Sequence, residues 1–154
     1  PNYNKDVKAS FMGLGLEHDR YDMALAIMEG IAFEINHAIE EFRKRGSRLD
    51  RLRMIGGGSK SRLWTEIISN VTGTSVITFK ESEVASIGAA IIAGVGCGVF
   101  NNYQEGCNCI VKDENIVCLD TVKREFYKHK YIKYKQGIKA IENYYKSLTE
   151  NSRF

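Results

Sequence analysis

The chain has 154 residues, of which 44% are hydrophobic and 27% charged, and its formal net charge is +3. These values predict one soluble globular domain. No apolar run approaches the roughly 20 residues of a membrane span and no signal-peptide pattern is present, so we expect no membrane partner. The chain opens with Pro1 rather than Met, which indicates a piece of a longer protein.

Four cysteines, Cys97, Cys107, Cys109 and Cys118, lie within a short stretch of the chain. The spacing Cys107-x-Cys109 is not a zinc spacing, and no histidine lies nearby to complete a tetrahedral site. We therefore predict no metal ligands here and interpret the cysteines as the reduced thiols of a cytoplasmic protein.

The first third of the chain predicts a strand and a helix. Ala9–Leu16 has the pattern of a short strand and turn, and Asp22 to Arg45 has apolar residues at helical spacing. We place Asp22 near the N-cap of this helix and Gly46 at its stop. The apolar positions are Ala24, Ile27, Ile31, Ile35, Ala38 and Phe42.

The middle of the chain alternates strands with helices. Leu49–Ile55 predicts a strand that ends in three glycines, and a helix follows from about Ser59 to Val71. Thr74–Phe79 is β-branched and aromatic, which predicts a buried strand. Ser82–Gly94 predicts a further helix with Ser82 as its cap. This alternation is typical of an α/β fold with a partly parallel sheet.

The last third predicts a loose segment, a short strand and a long helix. Gly96–Asp113 is rich in Gly, Asn and Cys, and Asn115–Leu119 has the pattern of a short strand. The helix runs from about Val122 to Leu148 and carries an apolar stripe with heptad-like spacing. The stripe consists of Tyr127, Tyr131, Tyr134, Ile138, Ile141, Tyr145 and Leu148.

Positive charge is concentrated in this last helix. From residue 121 onward the chain has nine Lys or Arg residues against three Asp or Glu residues. Because the basic residues alternate with the apolar stripe, we interpret them as a solvated helix face and expect no nucleic acid partner. The stripe itself predicts packing of a terminal helix onto its own domain, with a homodimer seam as the alternative.

The glycine turn is the strongest functional signal. Residues 54–61 read MIGGGSKS between a predicted strand and a predicted helix, a geometry that suits nucleotide binding. A Walker A loop would need glycines where the chain has Met54 and Ser59, so that interpretation fails. A Rossmann fingerprint aligns imperfectly with Gly56, Gly58 and Ser61, with Glu81 as the ribose-binding acid.

A third interpretation explains more of the chain. Gly56–Asn70, GGGSKSRLWTEIISN, resembles the adenosine motif of the FGGY carbohydrate kinases, which belong to the actin-like ATPase superfamily. Val84–Gly94 resembles the second connecting motif of that superfamily, and Phe11–Leu14 and Met23–Phe33 are similar to further kinase segments. Within the family the turn is most similar to the xylulose kinase branch. The small residues of the connecting motif are Ala85, Gly88, Ala89, Ala90 and Ala93.

The resemblance implies a ribonuclease H-like α/β domain with a long C-terminal helix and a sheet that could be incomplete. Residues 1–154 would be the C-terminal, nucleotide-binding domain of a kinase, without the N-terminal sugar-binding domain. The implied reaction is ATP-dependent phosphorylation of a sugar hydroxyl. The resemblance places the adenosine of ATP at Gly57, Gly58, Ser59 and Ser61.

Other parts of the implied machinery have no counterpart in this chain. Mg²⁺ is expected with ATP, but we identify no metal ligand and no catalytic residue, so we expect the fragment to be inactive alone. Two alternatives remain at this point. One is a Rossmann-type dinucleotide module, and the other is a non-catalytic interaction domain that binds an anionic partner through the basic helix 122–148, including Lys128, Lys133 and Lys135.

Overall fold

The structure is a computed structural model that describes residues 8–79 and 84–151. Along the chain the elements are α1 (Arg20–Lys44), β1 (Arg51–Met54), a 3-10 turn (Gly57–Lys60), α2 (Arg62–Thr72), β2 (Ser75–Phe79), α3 (Val84–Gly96), α4 (Tyr103–Ile110), β3 (Asp113–Val117) and α5 (Thr121–Asn151). They form two compact units. The first unit contains the chain up to Ser47, residues 70–72 and the chain from Asp120, and the second contains residues 48–69 and 73–119.

A three-stranded mixed sheet organises the second unit. The strand order is β1-β2-β3, with β1 parallel to β2 and β2 antiparallel to β3. Val76 and Ile77 point to opposite faces of β2, and both are fully buried, as expected for a central strand that is covered on both sides. The predicted α/β class with a partly parallel sheet is therefore confirmed.

A side-chain cap marks the start of helix α1, and a glycine follows its end. Asp19 is its N-cap and forms a capping box with Asp22, so the predicted cap at Asp22 was three residues late. The residue after the C-cap is Gly46, with a φ of 85°, which agrees with the predicted stop.

The first unit is held together by aromatic packing between α1 and α5. Phe33 is 5% exposed and its ring centroid lies 6.5 Å from that of Tyr127, 5.7 Å from that of Tyr131 and 5.0 Å from that of Tyr134. The first half of the α5 stripe therefore packs within its own domain, which was the preferred interpretation. The homodimer seam stays a prediction.

Polar contacts fix the alignment of the same two helices. The Glu29 carboxylate, 9% exposed, accepts hydrogen bonds from Lys130 Nζ at 2.7 and 2.9 Å. Tyr131 Oη donates to Glu40 at 3.0 Å and Tyr134 Oη donates to Glu34 at 2.7 Å. The rings are thus inside and the hydroxyls are paired at the edge of the interface.

These surroundings disfavour the ionised form of the tyrosines. Burial raises the pKa of Tyr127 to about 12, and the nearby Glu29 carboxylate adds to the effect. Burial, followed by the hydrogen bond to Glu40, raises the pKa of Tyr131 further, and burial with the bond to Glu34 does the same for Tyr134. All three hydroxyls therefore act as neutral donors in the physiological range.

The apolar stripe predicted on α1 is not the face of the helix that is buried within the first unit. Among the described residues Ile27 is 53% exposed, Ile31 50% and Phe42 56%. The buried positions lie elsewhere around the helix, at Glu29, Ala32, Phe33, Asn36 and Ile39. Helical spacing thus predicted the helix correctly, but a second face, rich in partnered polar residues, makes the contact with α5.

The strand predicted for Ala9–Leu16 is wrong, because this segment is irregular in the structure. It lies against a helix instead of a strand edge. A Cβ on Gly137 of α5 would come within 2.6 Å of Met12 Cε, so the methionine reaches into the place that a larger residue would take. Met12 therefore makes a side-chain contact with α5, and residues 9–16 form no strand.

The loose segment predicted for Gly96–Asp113 is also wrong, because it contains α4. Asn102 caps this helix by accepting a hydrogen bond from the Glu105 N–H at 2.9 Å. Gly94 of α3 and Gly106 of α4 both lie against the ring of Phe100, where a Cβ would come within 2.7 and 3.1 Å of it. These glycines are packing positions, so they do not break the helices.

The remaining predicted boundaries are close to those observed. Strand β1 is shorter than Leu49–Ile55 and β3 starts before Asn115, while β2 and α5 match within a few residues. The proposed cap Ser82 lies outside the described residues. None of the helices within the described ranges combines the length and apolar character needed to cross a membrane.

Candidate nucleotide site at the glycine turn

The glycine turn joins β1 to α2 through one turn of 3-10 helix. Gly56 has a φ of 81°, a conformation that glycine adopts without the steric cost of a side chain. Gly57–Lys60 then form the 3-10 turn, and Ser61 returns to an extended conformation before α2 starts at Arg62. Helix α2 therefore begins three residues later than predicted, because a separate turn precedes it.

Two serine hydroxyls stabilise this turn in different ways. Ser59 Oγ donates to the Gly56 carbonyl at 2.7 Å, and the Ser59 N–H donates to the same oxygen at 3.1 Å. Ser61 Oγ accepts from the Trp64 N–H at 3.3 Å and is thus the N-cap of α2. The hydroxyl proton of Ser61 has no acceptor within the described part of the chain, so it can donate to a ligand.

The predicted site residues come together on one short segment. Gly57, Gly58 and Ser61 are exposed and Ser59 is half-buried. A Cβ on Gly57 would have no atom of the described residues within 4 Å, whereas a Cβ on Gly58 would lie 3.1 Å from Met54 Cε and from two atoms of the Trp64 indole. The turn thus offers an exposed backbone surface at Gly57.

The small residues of the second motif lie on α3. Ala85, Ala89, Ala90 and Ala93 are exposed, and a Cβ on Gly88 would meet no described atom within 4 Å. This face therefore has room for a close neighbour.

Buried polar residues near the end of α2 were missed by sequence reasoning. Ser69 Oγ donates to the Val117 carbonyl of β3 at 3.4 Å, and Asn70 Oδ1 accepts from the Asp120 N–H at 2.7 Å. Asp120 Oδ1 in turn accepts from the N–H groups of Val122 and Lys123 at the start of α5. The signal was present in the sequence as a polar run, Ser69 and Asn70, between Ile67-Ile68 and Val71.

No set of three His, Cys, Asp or Glu side chains within residues 8–79 and 84–151 is arranged to hold a metal ion. The four cysteines are free thiols, of which Cys97, Cys109 and Cys118 are exposed and Cys107 is half-buried. Glu81, the acid that a dinucleotide site would need, lies outside the described residues.

Residues 1–97 match the C-terminal domain of the FGGY family of carbohydrate kinases. The match includes β1, the glycine turn, α2 and α3, so the chain belongs to this family. Its fold agrees, since the ligand-bound xylulose kinase of Lactobacillus acidophilus superposes with a TM-score of 0.83 at 21% identity over 93% of this chain. This assignment replaces the Rossmann interpretation.

The relatives with similar sequences include xylulose kinases. The chain is 28% identical to a xylulose kinase of Staphylococcus epidermidis over 97% of its length, and 26% identical to the L-xylulose/3-keto-L-gulonate kinase of Escherichia coli over 98%. The glycerol kinase of Plasmodium falciparum, whose structure contains ADP, has a TM-score of 0.77 at 25% identity over 92% of this chain.

The chain spans only part of these proteins. It covers 29% of the S. epidermidis enzyme, 30% of the E. coli enzyme and 28% of the P. falciparum chain. The family model that matches is that of the C-terminal domain.

Proposed function

We propose that this domain supplies the adenosine half of the ATP site of a sugar kinase similar to xylulose kinase. The observation that carries the proposal is the exposed glycine turn between β1 and α2, which lies inside the stretch matched to the family. Bound ATP would provide the phosphoryl group for a sugar hydroxyl. The residues of this chain would bind and orient the nucleotide.

The turn fits the planar part of an adenine nucleotide. The open space at Gly57 lets a flat ring or a ribose approach the backbone, and the free hydroxyl proton of Ser61 can donate to a ring nitrogen or a ribose oxygen. Ser59 is already bonded to Gly56 and would act by holding the turn in shape. Gly57 and Ser61 are thus the proposed contacts, with Gly58 and Ser59 supporting them.

The remaining parts of the reaction belong to the longer protein in this proposal. The sugar would bind to the N-terminal domain, and Mg²⁺ would arrive with ATP, because we assign no ligand for it among the described residues. The 154-residue chain alone would therefore phosphorylate no sugar. The four free thiols favour a cytoplasmic location.

The non-catalytic alternative is not supported by the basic helix. Lys128 pairs with Glu125, Lys130 pairs with Glu29, and Lys135 Nζ lies 4.0 Å from Glu40. Glu125 belongs to α5 itself, but Glu29 and Glu40 belong to α1, so these two carboxylates offset part of the positive charge that the sequence of α5 implies. We therefore propose no anionic macromolecule as its partner.

The test is a phosphorylation assay on the full-length protein that contains this domain. ATP consumption is measured with D-xylulose, L-xylulose, gluconate and glycerol, and ADP binding is measured by titration calorimetry. We expect saturable ADP binding and phosphorylation of at least one xylulose. A protein that binds no ADP and phosphorylates none of the four compounds would contradict the proposal.

A further inference from the structure

The three consecutive glycines of the turn have different surroundings. Gly56 has a φ of 81° and meets no described atom at its Cβ position. Gly57 also meets no described atom there, but it lies inside the 3-10 turn, where other residues fit without strain. The Cβ position of Gly58 is enclosed, 3.1 Å from Met54 Cε and from Cδ1 and Nε1 of Trp64.

The three glycines are indistinguishable in the sequence motif, but the structure gives each of them different surroundings. A side chain at position 56 would be strained by the backbone, whatever the space around it. A Cβ at 58 would lie 3.1 Å from the half-buried side chains of Trp64 and Met54, which would have to shift slightly to admit it. Of the three positions, 57 is the one at which a side chain would enter open space without backbone strain.

We infer that Gly57 alone is glycine to admit the nucleotide, while Gly58 is glycine to accommodate Trp64 and Met54. Trp64 is then a positioning residue: its indole packs against Gly58 and sets the shape of the turn whose Gly57 backbone contacts the ligand. This inference rests on the proposed function for the ligand, but the contact between Trp64 and Gly58 is independent of it.

The position of Trp64 supports this role. It lies in the first turn of α2, and its N–H is the group that Ser61 caps at 3.3 Å. One residue thus contributes its backbone to the N-cap of α2 and its ring to the packing beneath Gly58. Trp64 therefore contacts the segment that holds the proposed contacts twice, at Ser61 through its N–H and at Gly58 through its ring.

The experiment measures ADP affinity and thermal unfolding for alanine and valine variants of the three glycines in the full-length protein. We expect Gly57→Ala to leave Tm unchanged and Gly57→Val to weaken ADP binding by about 10-fold or more, because the new side chain fills the ligand space. We expect Gly56→Ala and Gly58→Ala to lower Tm by about 2–4 °C each. Equal effects of Gly57→Ala and Gly58→Ala on both Tm and affinity would overturn the inference.

A double-variant cycle isolates the role of Trp64. We expect Trp64→Leu to relieve the crowding at position 58, so that Gly58→Ala lowers Tm by less than half as much in this background as in the parent protein. The matched control is Gly57→Ala, whose effect should be the same in both backgrounds. Additive behaviour of Gly58→Ala and Trp64→Leu would overturn the assignment of Trp64.

The two proposals fail in distinguishable ways. A parent protein that binds no ADP removes the nucleotide function, yet the Tm cycle at positions 58 and 64 still tests the packing contact. A parent protein that binds ADP with the same affinity as Gly57→Val overturns the role of Gly57 and leaves nucleotide binding by the domain intact.

Discussion

The α1–α5 pair and the glycine turn differ in how their polar groups are used. In the helix pair the side chains bond to one another, as Glu29 does with Lys130 and Tyr134 with Glu34. In the turn the exposed Gly57 has no side chain, and the backbone itself faces open space. Polar groups that are fully partnered stabilise the fold, whereas a surface with open space is available to a ligand. This difference explains why the α1–α5 pair, although more strongly charged, says less about function than the glycine turn does.

The largest expected effect is in the helix pair. Phe33→Ala removes a ring that contacts three tyrosines and should lower the free energy of unfolding by about 3–5 kcal/mol, as measured by urea unfolding. Val122→Ala, at a position 79% exposed on α5, is the control and should change it by less than about 0.5 kcal/mol. Similar effects of the two variants would show that the pair is not an aromatic core.

The next effect concerns the buried amide that anchors α5. Asn70→Ala leaves the Asp120 N–H without its acceptor and should cost about 1–3 kcal/mol of unfolding free energy. The control is Asn108→Ala, since Asn108 is exposed and bonds only with Gln104 on the same helix among the contacts described. We expect that control to cost a few tenths of a kcal/mol. An equal cost at both sites would contradict the anchoring role.

Loss of the Glu29–Lys130 pair should lower the free energy of unfolding somewhat less than loss of the Asn70 amide. Lys130→Met leaves a carboxylate that is 9% exposed without its cation, and we expect a loss of about 1–2 kcal/mol, below that of a fully buried pair because Lys130 is 39% exposed. Lys128→Met breaks an exposed pair on the same helix and should cost less than Lys130→Met, because solvent screens both charges. Chemical unfolding of the two variants side by side measures the difference.

The smallest expected effect concerns Tyr127, and it is measurable only at alkaline pH. Because the pKa of Tyr127 is raised in the folded protein from 10 to about 12, the neutral phenol stabilises the fold below pH 10 and this contribution is lost as the pH rises to 12. Tyr127→Phe cannot ionise and should lose less stability over that interval. Urea unfolding at several alkaline pH values tests this, and an unchanged pH dependence would contradict the burial of the hydroxyl.

Local signals predicted most of the fold. The spacing of apolar residues identified α1, α2 and α5, and the β-branched run identified β2, because these elements carry their own periodicity. Helix α4 was missed because Gly106 suggests a break, although the glycine is there to accommodate Phe100 and Ile91. The choice of face on α1 was also missed, since Glu29 becomes acceptable in the interior only through its contact with Lys130, which is 101 residues away.

For the candidate site, too, some features could be predicted from the sequence and others could not. The turn and its exposure could be predicted from Gly56–Ser61, because glycines between a strand and a helix are a local signal. The separate surroundings of Gly57 and Gly58 could not, since they depend on where the side chains of Met54 and Trp64 lie. The cap at Ser61 was likewise hidden by the intervening 3-10 turn, which moves the start of α2.

The most direct test of nucleotide binding at the turn is amide hydrogen exchange on the full-length protein with and without ADP. We expect ADP to slow exchange in the segment 57–61, with no such protection by NADH and no change in the segment of α1 around Phe33. Protection by ADP elsewhere in the protein, with exchange at 57–61 unchanged, would contradict the assignment of the glycine turn to the adenosine site.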